Sequence, residues 1–554
     1  MLAESRFTIP NQKLTWDRPP PGDTLGVGLN YHLDIPMRVV TAHRSVNMNA
    51  NRSRVRCRMQ NHLPAALILL MTAHAFALEG QIQIHDPSTI IRCDGKFYVW
   101  GTGGRGLVSA DGWTWERGAP HGGGGGLAPD VIRLGDRYYL YYAVSRGQPR
   151  SEVHMTSNKM LDPKSPEYKW EDGGVVASSD GKEDCNAIDP GVLLDPTDGR
   201  LWLTYGSYFG YIRLVELNPR TGKRLDPADH PLDIAINCEA SVLIYHDGWY
   251  YLLADHGSCC AGADSGYNLR VGRSRKVTGP YVDHMGIDMM KGGGKLFLGS
   301  GSRRIGPGHF GLIDLGEGVQ KFSCHYEADL DRGGISVLDI RPLLWSDGWP
   351  VAGDNFKPGT YQIESVRTGT ALELAVEGVP VGGRRQRRGG FGPPGAGLAA
   401  RPPAPAKPIP PQDVAQVSTK WAAGNVDVRM ANYLGQAQQH WTIAPVADGG
   451  GYPGSPYFKI TIAGTDRALA ATDDGELVTL PAFSGRPQQL WQLDQLADGT
   501  WRIMPKSASN AKDPLALSAI GSSFATLEKF NPQSDKQRWV FKAPELSTPP
   551  TSVP

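Results

Sequence analysis

His85-Asp86-Pro87, running on to Gly95-Lys96-Phe97-Tyr98, is the first of five related phrases that decide the fold. A polar or acidic signature opens the phrase, a hydrophobic strand follows, and a Gly turn leads into an aromatic strand. The same order returns in Ala128-Pro129-Asp130 to Gly135-Asp136-Arg137-Tyr138-Tyr139 and in Ala187-Ile188-Asp189-Pro190 to Gly199-Arg200-Leu201-Trp202. It returns again in Cys238-Glu239-Ala240 to Gly248-Trp249-Tyr250-Tyr251, and a weaker fifth, Gly308-His309-Phe310-Gly311, leads into Leu312 and Ile313. Each full phrase supplies a hairpin, and repeats of this size are the signature of a β-propeller. Equivalent positions in a propeller converge on one axis. Asp86, Asp189 and Glu239 open three of the phrases, so three carboxylates distant in sequence are expected to meet in one funnel.

Beyond a short link to Pro358 lies a second repeat. Gln439-His440-Trp441, Gln489-Leu490-Trp491 and Gln537-Arg538-Trp539 stand 50 and 48 residues apart, each preceded by a strand (Val428–Met430, Val478–Leu480, Phe524–Leu527). These three motifs resemble the ricin-type β-trefoil lectin repeat, in which the Trp packs in a shared core and the Gln pins a turn. The resemblance marks the fold; sugar binding would rest on nearby polar and aromatic residues. The expected architecture is therefore all-β, a propeller over residues 78–352 followed by a β-trefoil over 358–545. Residues 378–415 interrupt the first lobe with Arg384-Arg385-Gln386-Arg387-Arg388 and Pro-, Gly- and Ala-rich sequence, and read as a disordered insertion. The basic run is expected to be a solvated loop rather than a patch for anionic pectin.

At 554 residues the chain is too long for one core. Its 68 Gly and 43 Pro suit an all-β protein with many tight turns. A formal net charge of +1 gives no field for a nucleic-acid partner. Residues 48–77 read as a secretory signal: Arg52, Arg54, Arg56 and Arg58, then an apolar run from Leu63 to Met71, then Ala75-Phe76-Ala77. The apolar run is too short to span a bilayer. Residues 1–47 are then an over-called extension, with Met48 or Met59 as the start. The expected location is secreted or periplasmic, with no membrane association after cleavage. Of seven cysteines Cys57 falls in the signal; the even remainder permits disulfides without fixing their pairing. No Cys-x-x-Cys pair occurs, so a zinc site is not expected. No phosphate-cradling Gly motif lies between a strand and a helix, so no nucleotide or redox cofactor is expected, and Gly122–Gly126 reads as a loop.

Convergent carboxylates are what glycoside hydrolysis requires. One acid protonates the leaving oxygen, and one carboxylate activates water or attacks the anomeric carbon. Their pKa values must be pushed apart, and a third carboxylate nearby raises that of the acid by like-charge repulsion. An Asp before Pro on its own is more often a turn cap. Three carboxylates opening three blades favour chemistry.

At these residues the chain resembles glycoside hydrolase family 43, in particular its α-1,5-arabinanase branch. The resemblance spans about residues 80–350. It is carried by His85-Asp86-Pro87, Ala128-Pro129-Asp130-Val131, Asn186-Ala187-Ile188-Asp189-Pro190, Gly206-Ser207-Tyr208-Phe209-Gly210, Cys259-Cys260-Ala261-Gly262 and Gly306-Pro307-Gly308-His309. It implies five blades and inversion at the anomeric carbon. Asp86 would be general base, Glu239 general acid and Asp189 the modulator of the acid's pKa. Asn186, Ser207, Tyr208 and Phe209 would bind substrate, and His309 would help hold a hydrated metal ion, usually calcium. The implied partner is plant cell-wall arabinan. Two departures stand out: Gly122–Gly126 occupy the place where the family commonly carries a Trp, and Glu239 is followed by Ala240-Ser241 in place of Gly-Pro. β-Xyloside, arabinofuranoside side chain or galactan as substrate on the same fold, and a polysaccharide-binding protein without catalysis, are the alternatives. The sequence does not indicate an oligomeric state.

Overall fold

The computed structural model describes residues 78–316, 319–376, 414–509 and 513–544. The extension and signal peptide, and the insertion up to residue 413, lie outside the described residues. Among those described, no helix is long and apolar enough to cross a membrane.

Five antiparallel sheets follow one another along residues 79–352. Four have four strands in simple order, and the first adds a short strand, Glu79–Gly80, parallel to Thr114–Gly118. The opening strands of successive blades touch: Leu127–Leu134 meets Gly191–Leu194, which meets Glu239–His246, which meets Ile305–Asp314. These are the strands that carry the phrase openings, and their contact rings them round a common axis.

Period-two alternation explains the aromatic runs. In the strand Arg137–Ser145, Tyr138, Leu140 and Tyr142 pack between the first and second blades, and Tyr139 and Tyr141 pack between the second and third. The strand Trp249–His256 repeats this, with Tyr250, Leu252 and Ala254 on one face and Tyr251 and Leu253 on the other. A blade is buried on both faces, so its middle strands read as continuous apolar runs. The fifth interblade core closes the ring, joining Ile84, Val99 and Trp115 to Ile313, Leu338 and Ile340. Backbone bonds reinforce that closure, from Ile84 N to Ser336 O at 3.1 Å and from Leu338 N to Ile82 O at 2.9 Å.

The C-terminal region builds one large sheet around a core that contains Trp441, Trp491 and Trp539. The three lobes repeat at atomic detail. Each indole N–H donates to a backbone carbonyl: Leu372 O at 2.8 Å, Leu469 O at 3.1 Å and Leu517 O at 2.9 Å. Each preceding Gln (Gln439, Gln489, Gln537) accepts a backbone N–H on Oε1 and donates Nε2 to a second backbone carbonyl, pinning its turn. A β-trefoil follows the propeller, as the spacing of the Gln-x-Trp motifs predicts.

The two regions are joined by a buried ion network. Lys321 of the fifth blade reaches Asp494 of the trefoil at 3.4 Å, and Arg502 holds the same carboxylate at 2.6 Å. Asp354 N donates to Gln495 Oε1 at 2.8 Å, and Gly454 N to Gly112 O at 3.1 Å.

Candidate active site

The phrase openings share one backbone device. Asp86, Ala128, Asp189, Ala240 and His309 all adopt the left-handed region, with φ of 50°, 43°, 54°, 49° and 63°. Such φ values are costly for residues other than Gly and concentrate where surrounding structure enforces them. In three of the five blades the kink coincides with a register shift between the first two strands. Bulges re-aim side chains at sheet rims. The register also corrects the equivalence expected of the three carboxylates. Asp86 and Asp189 occupy the kinked position itself, whereas Glu239 stands one residue before it, with Ala240 as their counterpart.

Asp86 sits among hydrogen-bond donors and imidazoles. Its Oδ2 accepts from Thr102 Oγ1 at 2.5 Å, and its Oδ1 lies 3.4 Å from His85 Nε2, 3.7 Å from His309 Nδ1 and 3.8 Å from His325 Nδ1. Burial pushes the Asp86 carboxyl up, but His85, His309, His325 and the Thr102 hydroxyl outweigh it and leave the group below its ordinary value. His325 is itself pushed down to about 3 by burial, and its Nδ1 accepts the Asp86 N–H at 3.2 Å. That ring is therefore neutral at neutral pH.

Asp189 and Glu239 are shifted the other way. Burial, then the negative charges of Glu239 and Asp86, hold Asp189 well above the carboxylate range. Burial likewise raises Glu239, with a further push from Asp86, against the hydroxyl of Tyr267, which donates to Glu239 Oε1 at 2.7 Å. Asp189 Oδ2 accepts the Ala240 N–H at 3.2 Å, so the two carboxylates are tied through the kinked residue beside the glutamate. The three carboxyls thus act on one another as neighbours, with Asp86 held low and Asp189 and Glu239 held high.

The remaining expected site residues divide by exposure. Asn186 and Ser207 are fully buried and bonded to each other at 3.1 Å, with Asn186 Oδ1 left without a partner. Tyr208 and Phe209 project from the same turn with 41% and 50% of their surface exposed, and the Tyr208 hydroxyl donates to Asp255 O at 3.2 Å. That turn closes on Gly210, where a Cβ would lie 2.0 Å from Asp184 O. His309 is buried, and its N–H donates to Asp255 Oδ2 at 2.7 Å. The Gly122–Gly126 loop lies flat on Tyr142: a Cβ at Gly123 or Gly126 would come within 2.3 Å of that ring. A Trp has no room at either of those two places.

Thr102, Tyr267, Asp255 and His325 carry no motif, and sequence reading misses them. Asp130 reads as a phrase opening but serves as a clip. Its two oxygens accept the N–H of Thr89 in the first blade at 3.1 Å and of Val192 in the third at 3.0 Å.

Residues 96–350 match the model of glycosyl hydrolases family 43. An extracellular exo-α-(1→5)-L-arabinofuranosidase of Cellvibrio japonicus is 34% identical over 320 residues, which cover 52% of this chain and 90% of the relative. The chain belongs to glycosyl hydrolases family 43. A second member, extracellular endo-α-(1→5)-L-arabinanase 1 of Bacillus subtilis, is 32% identical over 48% of this chain and 87% of its own length. Among solved structures, the Cellvibrio cellulosa α-L-arabinanase complexed with arabinohexaose is 31% identical over 49% of this chain and 96% of that chain, with a TM-score of 0.46. The protein is a family 43 glycosidase, and the matched region is its propeller.

Proposed function

We propose that this protein is an exported glycosidase that cleaves α-1,5-linked L-arabinofuranosyl bonds of arabinan with inversion. The observation that carries the reading is the meeting of Asp86, Asp189 and Glu239 from three blades, with Asp86 held low and the Asp189–Glu239 pair held high by their surroundings. The names of both curated relatives support the substrate, and both are called extracellular.

Asp86, ionised, takes a proton from a water molecule as that water attacks the anomeric carbon. Glu239, protonated, gives its proton to the glycosidic oxygen as the carbon–oxygen bond breaks from the opposite face. The product leaves with inverted configuration, and the two carboxyls return to their starting states by exchange with solvent. Asp189, tied to the Ala240 N–H beside Glu239, is the modulator of the acid. The two carboxyls titrate as a pair, so that one proton is retained between them at higher pH, and Tyr267 fixes the orientation of the Glu239 carboxyl. Tyr208 and Phe209 offer exposed aromatic surface for stacking on furanose rings.

The family resemblance also implies a calcium ion at His309. The imidazole stands beside the Asp86 carboxylate, and Asp255 on its backbone side has a buried Oδ1 with no partner. Calcium favours oxygen ligands, so this donor set fits an ion held by His309 largely through its waters. When bound, the ion supplies positive charge near the ionised Asp86.

The trefoil, by its resemblance to ricin-type lectins, would hold the propeller near cell-wall polysaccharide and raise the effective substrate concentration. The deciding experiment is sugar release from linear, debranched α-1,5-arabinan, with xylan and galactan in parallel, by the wild-type protein and Glu239→Gln. Arabino-oligosaccharides from the wild type and almost none from the variant are expected. Equal activity of the two would remove Glu239 from the mechanism. Release from xylan or galactan alone would move the substrate.

A further inference from the structure

Beside His85 lie two sulfurs that the reaction as read above does not use. Cys259 and Cys260, joined to each other in a disulfide, follow the strand Trp249–His256. Both sulfurs face one ring atom of a residue far back in the chain: Cys259 Sγ lies 3.7 Å and Cys260 Sγ 3.5 Å from His85 Nε2. Zinc bonds of about 2.0–2.1 Å to nitrogen and about 2.3 Å to sulfur, at a tetrahedral angle, place N and S about 3.5 Å apart. Both N···S spacings match that figure; the two sulfurs, joined in the disulfide, must themselves part to about 3.8 Å, which reduction permits.

His85 is also prepared as a ligand. Ser336 Oγ donates to Glu327 Oε1 at 2.8 Å, so it accepts from His85 Nδ1 at 2.9 Å. The ring proton therefore sits on Nδ1, and the Nε2 lone pair points toward the sulfurs. A carboxylate acting through a hydrogen bond on the distal ring nitrogen is how metal-binding imidazoles are oriented. The site is open to solvent, since Cys260 is exposed and His85 and Cys259 are half-buried.

We infer that Cys259 and Cys260, when reduced, form with His85 a binding site for a soft divalent cation such as zinc or cadmium. Reduction by a dithiol breaks the sulfur–sulfur bond: two electrons and two protons pass to the cysteines, and the reductant becomes a disulfide. Metal binding then releases two thiol protons to solvent and forms two thiolate bonds and one imidazole bond, leaving a fourth position for water. Soft thiolate ligands select such ions over calcium or magnesium. His85 Nε2 is 3.4 Å from Asp86 Oδ1, so the ion sits beside the group read above as the base, and hydrolysis is inhibited. That consequence rests on the proposed role of Asp86; the binding does not.

The test is titration of cadmium into purified protein, once dithiol-reduced and desalted and once oxidised, read by thiolate-to-metal absorption. One ion per reduced chain is expected, and none per oxidised chain. The variant Cys259→Ser/Cys260→Ser keeps the buried thiols Cys93, Cys185, Cys238 and Cys324 and is expected to lose the absorption. Cys260→Ser replaces one exposed side chain and leaves Cys259 as a free thiol; compared in the reduced state it guards against a folding defect and should also lose tight binding. His85→Ala should weaken binding at least about tenfold, since even outer partners of metal ligands cost about 10–100-fold. Equal binding by oxidised protein, or absorption that persists in the double variant, overturns the site. Cadmium should inhibit the reduced wild type and spare the double variant; inhibition of both would also overturn it. A protein without glycosidase activity would still report the site by absorption, so the two readings fail separately.

Discussion

The Tyr267 hydroxyl donates to Glu239 Oε1 at 2.7 Å, from a ring that is fully buried against Gly308 and stacked on His325 with centroids 6.1 Å apart. The bond holds the carboxyl in place and lowers its pKa against the push of burial. Tyr267→Phe removes that restraint. We expect kcat on arabinan to fall about tenfold or more, the cost of a hydrogen bond to a charged group being about 1.5–3 kcal/mol. The alkaline limb of the pH profile should move to higher pH, a shift that a packing defect alone would not produce.

Glu239→Gln cannot donate a proton, and Asp86→Asn cannot accept one. Each is expected to lower kcat by about 10²–10⁴-fold. An aryl arabinofuranoside with a highly acidic leaving group separates them. It needs no protonation, so Glu239→Gln should regain most of its rate on that substrate, and Asp86→Asn should not.

The pH profile should be bell-shaped. The base must be ionised, so activity rises as pH climbs through the lowered pKa of Asp86, below the ordinary carboxylate range. The acid must be protonated, so activity falls at a pH above that range, as the raised Asp189–Glu239 pair gives up its last proton. Asp189→Asn removes the like charge, and the alkaline limb of kcat should move to lower pH, opposite to Tyr267→Phe.

The Lys321–Asp494–Arg502 network makes the trefoil a fixed neighbour of the propeller. Burial raises the Asp494 carboxyl, but Arg502 and Lys321 outweigh it and hold it far below the carboxylate range. Asp494→Ala leaves two buried cations without their counter-charge, a loss of about 3–5 kcal/mol, to be read by chemical unfolding at neutral pH. Because the folded pKa is depressed, the contribution is complete above the unfolded value of about 3.9 and fades as pH falls below it. The difference between wild type and variant should therefore be constant from pH 7 to about pH 4 and narrow at more acid pH.

Sequence alone determined the architecture, because its signals are local and repeated. Alternating aromatics in Arg137–Ser145 need two apolar faces, and Gln439, Gln489 and Gln537 at near-equal spacing need three equivalent turns. It also singled out Asp86, Asp189 and Glu239, since each opens a recurring phrase. What only the tertiary structure decided is the electrostatic setting of those carboxyls. His325 and Tyr267 lie on strands or loops with no motif of their own: ring closure brings His325 of the fifth blade to Asp86 of the first, and Tyr267 reaches Glu239 across the sheet of their own blade. The one-residue offset of Glu239 from the kinked position follows from a bulge, and the meeting of His85 with Cys259 and Cys260 spans most of the propeller. Repetition along a chain encodes packing between neighbours. A pKa depends on distances between residues that are remote in sequence, which no local pattern records.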